Sequence, residues 1–329
     1  MRYNLLLVLQ ILLGYRDSFL LTIMFDFVFL GTSASAPSIH RGLSSHMLLH
    51  REHRFLIDCG EGTQRQILRS GFGFKRLTRI LITHGHLDHI LGLAGLLSTL
   101  TRWEAIEHVE IWAGKSALER IRQLVYGVVF GSEKTQFKIE LKELYPGSIF
   151  REDSFELSAF PVTHRGGHCF GFVFQEPVHR PFLNEKASKL GVPNGPVRTD
   201  LVRGHSIVLD NGNVVNPDDV LGQPIPGTKL VHVGDAGRTD NLLEYCESAD
   251  ALIIEATYLD RDKDLAKKFG HLTARQAAEL ALEANIKNLY LTHISRRYRN
   301  REILEEASNI FPNVVVAKDL DQFQINRPN

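Results

Sequence analysis

Short apolar runs separated by turn residues organise the chain from Phe25 onward, and several of them end at a polar residue or a glycine. Runs of about four to eight apolar or alternating residues are typical of buried strands. They predict strands over 25–30, 44–50, 54–57, 79–82, 109–113, 155–162, 229–233, 251–255 and 287–292. Helical spacing predicts helices over 64–70, 90–97, 116–125 and the segment after Thr273, where Thr273 and Gln276 are spaced as a capping box. This alternation of strands and helices predicts an α/β fold.

The run at 79–82 is followed at once by Thr83-His84-Gly85-His86-Leu87-Asp88-His89. Three imidazoles and a carboxylate in so short a stretch are difficult to explain as packing, because a buried imidazole needs partners for both ring nitrogens. Neutral imidazole and carboxylate are ligands that Zn²⁺ or Mn²⁺ takes. Alternate residues of an extended turn point the same way, so His84 and His86 are expected to share one ion. Asp88 and His89 are offset and are expected to serve a second ion.

Three more predicted strands end near residues that could complete such a site. These residues are His164, with His168 as a competitor beyond two glycines, Asp235 and His293. Taken alone, each fits an ordinary role, either a structural histidine or an aspartate that opens a turn. The incomplete ligand set of the first motif favours a metal role instead, and the two oxygens of Asp235 suit it to bridge two ions. Since every candidate follows a strand, all are expected at one edge of the sheets.

Four other positions carry weaker signals. The small residues at 31–35 would let the backbone approach a ligand closely, but composition alone favours an ordinary tight turn. Asp58 fits a hydrogen bond to a ligand imidazole and a helix N-terminal role equally well. Glu255 fits either a supporting position beside the ligands or a polar strand end. On residues alone, His271 fits a surface histidine best.

The balance of charge limits the classes of partner. The 329-residue chain carries 38 Lys and Arg residues against 38 Asp and Glu residues, so a nucleic acid would have to be bound through local patches. The three cysteines form no Cys-x-x-Cys pair, which argues against a disulfide framework and predicts a reducing, cytoplasmic compartment. The length suits one large or two modest domains.

Residues 1–23 differ from the rest of the chain. The apolar run at 5–13 is too short to span a bilayer, and Arg16 and Asp17 separate it from the next apolar residues. No small-x-small cleavage site is present, so a non-functional extension is preferred over a weak signal peptide, and no membrane partner is expected. Met24 directly precedes the first predicted strand, which favours translation from that residue.

The stretch at 175–228 is rich in Pro, Gly and Asn and lacks long periodic runs. An insertion of this kind is usually either disordered or a functional arm. It carries five basic residues: Arg180, Lys186, Lys189, Arg198 and Arg203. A second basic cluster, Arg296, Arg297, Arg299 and Arg301, follows His293. That cluster fits either the solvated start of a helix or a phosphate-contacting patch, and the patch is favoured.

These stretches resemble one known family. The His-x-His-x-Asp-His string is similar to the signature of the metallo-β-lactamase superfamily. Segments 25–38, 57–64 and 291–298 look like ribonuclease Z, the endonuclease that trims the 3′ trailer from precursor tRNA, and 191–196 with 201–204 look like its projecting arm. The resemblance implies a metallo-β-lactamase αβ/βα four-layer sandwich at 24–326, with a tRNA-binding arm inserted at 175–228. The family also implies a homodimer.

The resemblance further implies a role for each candidate residue. Its two Zn²⁺ (or Mn²⁺) ions would be held by His84, His86 and His164 and by Asp88, His89 and His293, with Asp235 bridging. A metal-activated hydroxide would hydrolyse the phosphodiester, leaving a tRNA 3′-hydroxyl and a 5′-phosphorylated trailer. Asp88 would orient or deprotonate the attacking water, and His271 would act as general acid for the leaving oxygen. The expected precursor tRNA contacts are Arg297, Arg198 and Arg203.

Two other functions remain open on the sequence. A small-molecule hydrolase with the same metal site, acting on an ester, a lactone or a phosphodiester, would need neither the arm nor the arginine cluster. A non-catalytic nucleic-acid-binding relative would not need an intact ligand set, and the complete set found here argues against that function.

Overall fold

The computed structural model describes residues 23–103, 106–131 and 137–326. The proposed extension at 1–23 therefore lies outside the described residues, except for Ile23. The strands are β1 (Ile23–Gly31), β2 (Ser45–His50), β3 (His53–Ile57), β4 (Arg79–Ile82), β5 (His108–Ala113), β6 (Lys138–Glu143), β7 (Gly147–Glu152), β8 (Phe155–Val162), β9 (Cys169–Gln175), β10 (Ile207–Val208), β11 (Val214–Val215), β12 (Lys229–His232), β13 (Ala251–Glu255), β14 (Asn288–Thr292), β15 (Val314–Val316) and β16 (Gln322–Asn326).

Helices connect many of these strands. They are α1 (Thr63–Ser70), α2 (Leu87–Ile90), α3 (Gly92–Trp103), α4 (Lys115–Arg122), α5 (Asn184–Lys189), α6 (Val197–Val202), α7 (Pro217–Val220), α8 (Leu243–Cys246), α9 (Lys263–Phe269), α10 (Ala274–Glu283) and α11 (Asn300–Ser308), with a π-helix at Gln123–Val129 and a 3₁₀ turn at Asp260–Asp262. No helix in the described ranges has the length and apolar character needed to cross a membrane.

Most of the described strands form two mixed sheets of seven strands each. The first has the order β16-β1-β2-β3-β4-β5-β6 and is parallel from β3 to β6. The second has the order β15-β14-β13-β12-β9-β8-β7 and is parallel from β15 to β12. Parallel strands need crossover connections, which is why helices follow β4, β5 and β13. The predicted strands are all present, and prediction missed β6, β7, β9, β15 and β16 in these sheets.

The inner faces of the two sheets meet through aromatic side chains. The Phe174 ring lies 5.4 Å from Phe55 and 6.2 Å from Phe25, and the Phe27 ring lies 6.1 Å from His232. Helices cover the outer face of each sheet. Side chains of α1 and α3 pack on the first sheet, and those of α10 and α11 pack on the second. The layers are therefore helix, sheet, sheet and helix, as the resemblance predicts.

Two helices differ from prediction near the site. The helix predicted over 90–97 begins earlier, with α2, and α3 starts at Gly92, where a Cβ atom would lie 2.0 Å from the Gly60 carbonyl oxygen. That close approach requires glycine and interrupts the helix. The helix predicted over 116–125 ends at Arg122 and continues as the π-helix at Gln123–Val129. The π-helix is rare in proteins, and where it does occur it is often found at a functional site.

A second compact unit comprises 153–155 and 176–227, the region where an arm is predicted. It contains α5, α6, α7 and the β10–β11 hairpin. Its small core is formed by Ala187, Val192, Leu201, Ile207, Val215, Val220 and Leu221. These apolar residues have no sustained period, which explains why pattern analysis found no elements here. The segment is nevertheless ordered around its own core.

Candidate metal centre

The candidate ligands lie where strands of both sheets end. His84 and His86 follow β4, His164 follows β8, Asp235 follows β12 and His293 follows β14. Asp88 and His89 lie in α2, one turn further along the chain. The ligand atoms form three overlapping groups, each with all its atoms within 4.8 Å of one another: His84, His86, His164 and Asp235; Asp88, His89 and His293; and Asp235, His271 and His293.

The first set surrounds the Nδ1 atom of His86. His84 Nε2 lies 2.9 Å from that nitrogen, and His164 Nε2 lies 3.3 Å from it. Asp235 Oδ2 is 3.6 Å from His84 Nε2 and 3.8 Å from His164 Nε2. His168, the competing candidate, is exposed and is absent from all three groups.

The second set shares Asp235 with the first. His293 Nε2 is 3.4 Å from Asp88 Oδ2 and 3.4 Å from Asp235 Oδ1. His89 Nε2 is 3.7 Å from Asp88 Oδ2 and 3.5 Å from Asp235 Oδ2. Asp235 thus presents Oδ2 to the first set and to His89, and Oδ1 to His293. A carboxylate placed in this way can bridge two cations.

Asp58 sets the tautomer of His89. Its buried carboxylate accepts hydrogen bonds from Thr83 N at 2.8 Å and from the Thr83 hydroxyl, and it lies 2.7 Å from His89 Nδ1. A carboxylate only accepts, so Nδ1 carries a proton and Nε2 is the nitrogen left to bind a metal ion. Asp58 has a left-handed backbone (φ 59°), a strained conformation typical of functional positions. Of its two predicted roles, the imidazole contact is the one present.

The other imidazoles are oriented by polar groups as well. His164 Nδ1 donates to the Gly270 carbonyl oxygen at 2.6 Å. His293 Nδ1 lies 2.9 Å from the Thr257 hydroxyl, which itself donates to Glu255 and therefore accepts from the histidine. In both rings Nδ1 carries a proton, so Nε2, which faces the cluster, is the nitrogen left to bind a metal ion. Nothing in the sequence pattern pointed to Thr257 or to the Gly270 carbonyl.

The arrangement fits divalent cations. His84 Nε2, His86 Nδ1 and His164 Nε2 converge beside Asp235 Oδ2, so each ring can direct a lone pair at a cation placed between them. His89 Nε2 and Asp235 Oδ2 are buried without a hydrogen-bond partner in the described chain, which is unusual for buried polar atoms. Imidazole and carboxylate donors of this kind bind divalent transition-metal ions such as zinc.

Electrostatics prepare two of the candidate ligands, His84 and Asp235, for that task. Burial, followed by the neighbouring imidazoles, lowers the pKa of His84 well below its ordinary value, so its ring is neutral at pH 7. Burial also acts to raise the pKa of Asp235, but the His293 and His89 imidazoles outweigh it and hold that pKa well below the usual range. A neutral imidazole and an ionised carboxylate are the ligand forms that metal ions require.

Beside the ligands, Glu255 holds His271. The Glu255 carboxylate accepts from Ala236 N at 2.7 Å and lies 3.0 Å from His271 Nδ1. Burial acts to lower the pKa of His271, but the charge of Glu255 and its hydrogen bond raise it to about 9. The His271 ring stacks on His293 with centroids 5.3 Å apart. His271 is therefore a protonated imidazole inside the cluster rather than the surface histidine that its residue pattern favoured.

The turn at 31–35 borders the site. Ser35 N donates to Asp88 Oδ2 at 2.9 Å, joining the end of β1 to the second ligand set. Composition alone favoured an ordinary turn here, and that interpretation was wrong. It failed because the two partners are 53 positions apart in the chain, and composition carries no information about such a contact.

The arginines predicted to contact RNA differ in whether their guanidinium groups already form hydrogen bonds or ion pairs within the protein. Arg296 and Arg297 are exposed, and their guanidinium groups have no hydrogen bond or ion pair within the described ranges. Arg301 pairs instead with Glu305 in α11. In the second unit, Arg203 is exposed, whereas Arg198 donates to the carbonyl oxygens of Pro193 and Val192 and to Asn184 Oδ1. Arg198 is thus committed to holding its own unit together.

Replacing Asp58 with Asn tests the ligand orientation. The change leaves the size of the side chain but removes the carboxylate that fixes His89 Nδ1–H, so metal affinity should fall roughly 10- to 100-fold. Competition for zinc with a chelator of known affinity measures this fall. Asp250→Asn is the matched control, because it alters another buried carboxylate, which bonds to Lys229 and Lys287. Equal zinc affinity in Asp58→Asn and the control would contradict the assignment.

Comparison with known proteins gives consistent matches. A family model described as "Beta-lactamase superfamily domain" matches residues 196–294, and one described as "Anti-Pycsar protein Apyc1" matches 25–181. The chain is 45% identical over 302 residues to a ribonuclease Z of Bradyrhizobium diazoefficiens, covering 92% of this chain and 100% of that one. It is 38% identical to a ribonuclease Z of Archaeoglobus fulgidus, with 92% and 98% covered. The crystal structure of the short form of human tRNase Z matches with a TM-score of 0.64 and 28% identity, covering 91% of this chain and 99% of that one.

Proposed function

The chain belongs to the ribonuclease Z family of endoribonucleases, which have the metallo-β-lactamase fold, and we propose that it removes the 3′ trailer from precursor tRNA. The proposed cofactors are two zinc ions per subunit, and the proposed products are a tRNA 3′-hydroxyl and a 5′-phosphorylated trailer. The observation that carries the proposal is the cluster itself: the predicted ligands converge, and hydrogen bonds fix the tautomers of three of its histidines.

The proposed ligand sets are those predicted from the sequence. His84, His86 and His164 would hold one ion, Asp88, His89 and His293 the other, and Asp235 would bridge them. When bound, two divalent ions acidify a water and neutralise charge on the phosphate oxygens. Asp88 contributes a carboxylate whose pKa lies well below its usual range, because His293 and His89 outweigh its burial. So weak a base is suited to orient the attacking water rather than to deprotonate it.

His271 is the proposed proton donor to the leaving group. Cleavage that yields a tRNA 3′-hydroxyl breaks the bond between phosphorus and the 3′ oxygen of the tRNA. That oxygen would leave as an alkoxide, which is a poor leaving group unless it receives a proton. His271 is protonated through Glu255 and lies beside His293 and His164. Its Nδ1–H is committed to Glu255, so Nε2–H is the proton available for the leaving oxygen.

The proposed RNA contacts are exposed arginines. Arg297, directly after the His293 loop, would contact phosphates near the scissile bond, and Arg203 would contact the tRNA from the second unit. Arg198 would support the second unit through its three hydrogen bonds rather than bind phosphate with all its donors. We also propose a homodimer in the cytoplasm, where three buried, unpaired cysteines are stable.

Incubation of the purified protein with a 3′-extended precursor tRNA, with and without a chelator, tests the function. We expect a metal-dependent cut beside the discriminator base, because the cluster requires metal and the family acts on that bond. Mapping the two ends of the cut gives the product chemistry. A protein that leaves the precursor intact but hydrolyses a phosphodiester or lactone reporter would instead be a small-molecule hydrolase with the same metal site.

A further inference from the structure

A cavity of about 390 Å³ opens beside the first ligand set, within the large unit that carries the cluster. Its lining includes His84 and His86 from the first ligand set, together with Ser116, Arg120 and Arg165. The volume lies in the range of roughly 300–1,000 Å³ typical of sites for small ligands. None of the roles proposed above for the ligands or for His271 requires this space.

The walls of the cavity are built by close backbone contacts. A Cβ atom on Gly85 would lie 2.9 Å from Ala117 Cα, so the metal-ligand turn packs directly on α4. A Cβ atom on Gly114 would lie 2.0 Å from the His168 carbonyl oxygen, and Ser116 Oγ donates to the Gly167 carbonyl oxygen at 2.9 Å. These contacts fix the loop at 165–168 against α4 and hold the cavity open between them.

His86 points a hydrogen-bond donor toward this cavity once it acts as a ligand. Its Nδ1 faces His84 and His164, so metal coordination through Nδ1 requires the ring proton to be on Nε2. That nitrogen lies on the side of the Gly166 loop, 4.0 Å from where a Gly166 Cβ would be, and has no hydrogen bond with the described residues. The loop residue is a glycine, which leaves room for a ligand beside Nε2–H.

Cationic groups line the same cavity as that donor. The exposed guanidinium groups of Arg120 and Arg165 line the cavity together with the amide of Gln123, against one carboxylate, that of Glu119. Arg120 is oriented by its bond to the Gly85 carbonyl oxygen at 3.0 Å. Gln123 is the first residue of the π-helix, so the change of helical pitch falls at the cavity wall. An excess of donors and positive charge selects an anion, and a planar guanidinium suits phosphate.

We propose that this cavity is a subsite for a phosphate group of the RNA strand next to the scissile bond, held by Arg165, Arg120 and His86 Nε2–H. The proposal rests on the proposed function. The phosphate has two possible sources: the trailer, on the downstream side of the cut, or the 3′ end of the tRNA, on the upstream side. Both present the same chemistry to the cavity, and trailer length distinguishes them.

The test compares precursor tRNAs with a single-nucleotide trailer and with longer trailers. A single-nucleotide trailer has no phosphate beyond the scissile one, so a downstream subsite is empty with that substrate.

Arg165→Ala should raise KM roughly three- to tenfold, as the loss of one charged contact at an open surface predicts. The increase should appear only with longer trailers if the source is the trailer, and with every substrate if the source is the tRNA end. The slope of log KM against log salt concentration should decrease by about 0.7, the value expected when one phosphate contact with a single strand is lost.

Arg122→Ala is the matched control, because Arg122 is exposed on the same helix as Arg120 but does not line the cavity. Arg122→Ala removes the same charge and should leave KM unchanged. Arg165→Lys keeps the charge, so its KM should lie between those of the wild type and Arg165→Ala. The proposal is overturned if the wild-type protein cuts the precursor while Arg165→Ala and Arg122→Ala have equal KM at every trailer length. A wild-type protein that does not cut any precursor would overturn the proposed function and this subsite with it.

Discussion

Replacing Asp88 with Ala is expected to abolish cleavage of precursor tRNA while leaving most of the tRNA binding intact. Asp88 Oδ2 lies 3.4 Å from His293 Nε2 and accepts the Ser35 amide hydrogen, so the change removes a proposed ligand and the group that would orient the attacking water. Loss of one electrostatic stabiliser from an active site typically costs roughly 100- to 1000-fold in kcat, and loss of a ligand should cost at least that much. Binding should persist because it depends on phosphate contacts made by arginines elsewhere.

Single-turnover cleavage and an equilibrium binding assay, run on the same preparation, separate the two effects. Asp88→Asn is the matched variant: it keeps the shape and one acceptor oxygen for the Ser35 amide but loses the charge. It should bind tRNA like the wild type and cleave nearly as poorly as Asp88→Ala. Wild-type turnover in either variant would rule out the proposed role of Asp88. Loss of binding together with turnover would show that Asp88 supports the fold instead.

The convergence of the candidate ligands could be predicted because they follow strands that the apolar pattern makes visible. His164, Asp235 and His293 come after separate strands of the second sheet, and strand order alone places them at one edge. The pattern also placed Asp88 and His89 on the turn that follows His84 and His86, where α2 begins. Periodicity indicates which face of a segment is buried, and that information was sufficient to bring the candidate ligands together in one cluster.

The groups that orient the ligands were harder to predict, because their partners are distant in the chain. Thr257 is 36 positions from His293, and the Gly270 carbonyl is 106 positions from His164. A threonine after a strand and a backbone carbonyl carry no distinctive sequence signal. The sequence could not decide between the two roles of Asp58 for the same reason. The imidazole contact requires His89 to lie beside Asp58, and only the folded structure brings these residues together.

His271→Ala should affect two phosphodiesters very differently. The leaving oxygen of precursor tRNA is a ribose alkoxide, which needs a proton, so loss of the proposed general acid should lower kcat roughly 100- to 10,000-fold. The leaving group of bis(p-nitrophenyl) phosphate is a stabilised phenolate that departs without a proton. Its hydrolysis should therefore fall far less, because the proposed metal ligands remain in place.

The ratio of the two losses is the quantity to measure, with metal content determined in each preparation. His108→Ala is the matched control, because His108 is the first residue of β5 and the candidate ligands follow the last residues of their strands. This variant should leave both activities unchanged. Glu255→Gln should show a weaker version of the His271 pattern, because it removes the charge that keeps the imidazole protonated. Equal losses on the two substrates, with full metal content, would mean that His271 positions the ligands or the phosphate and does not donate the proton.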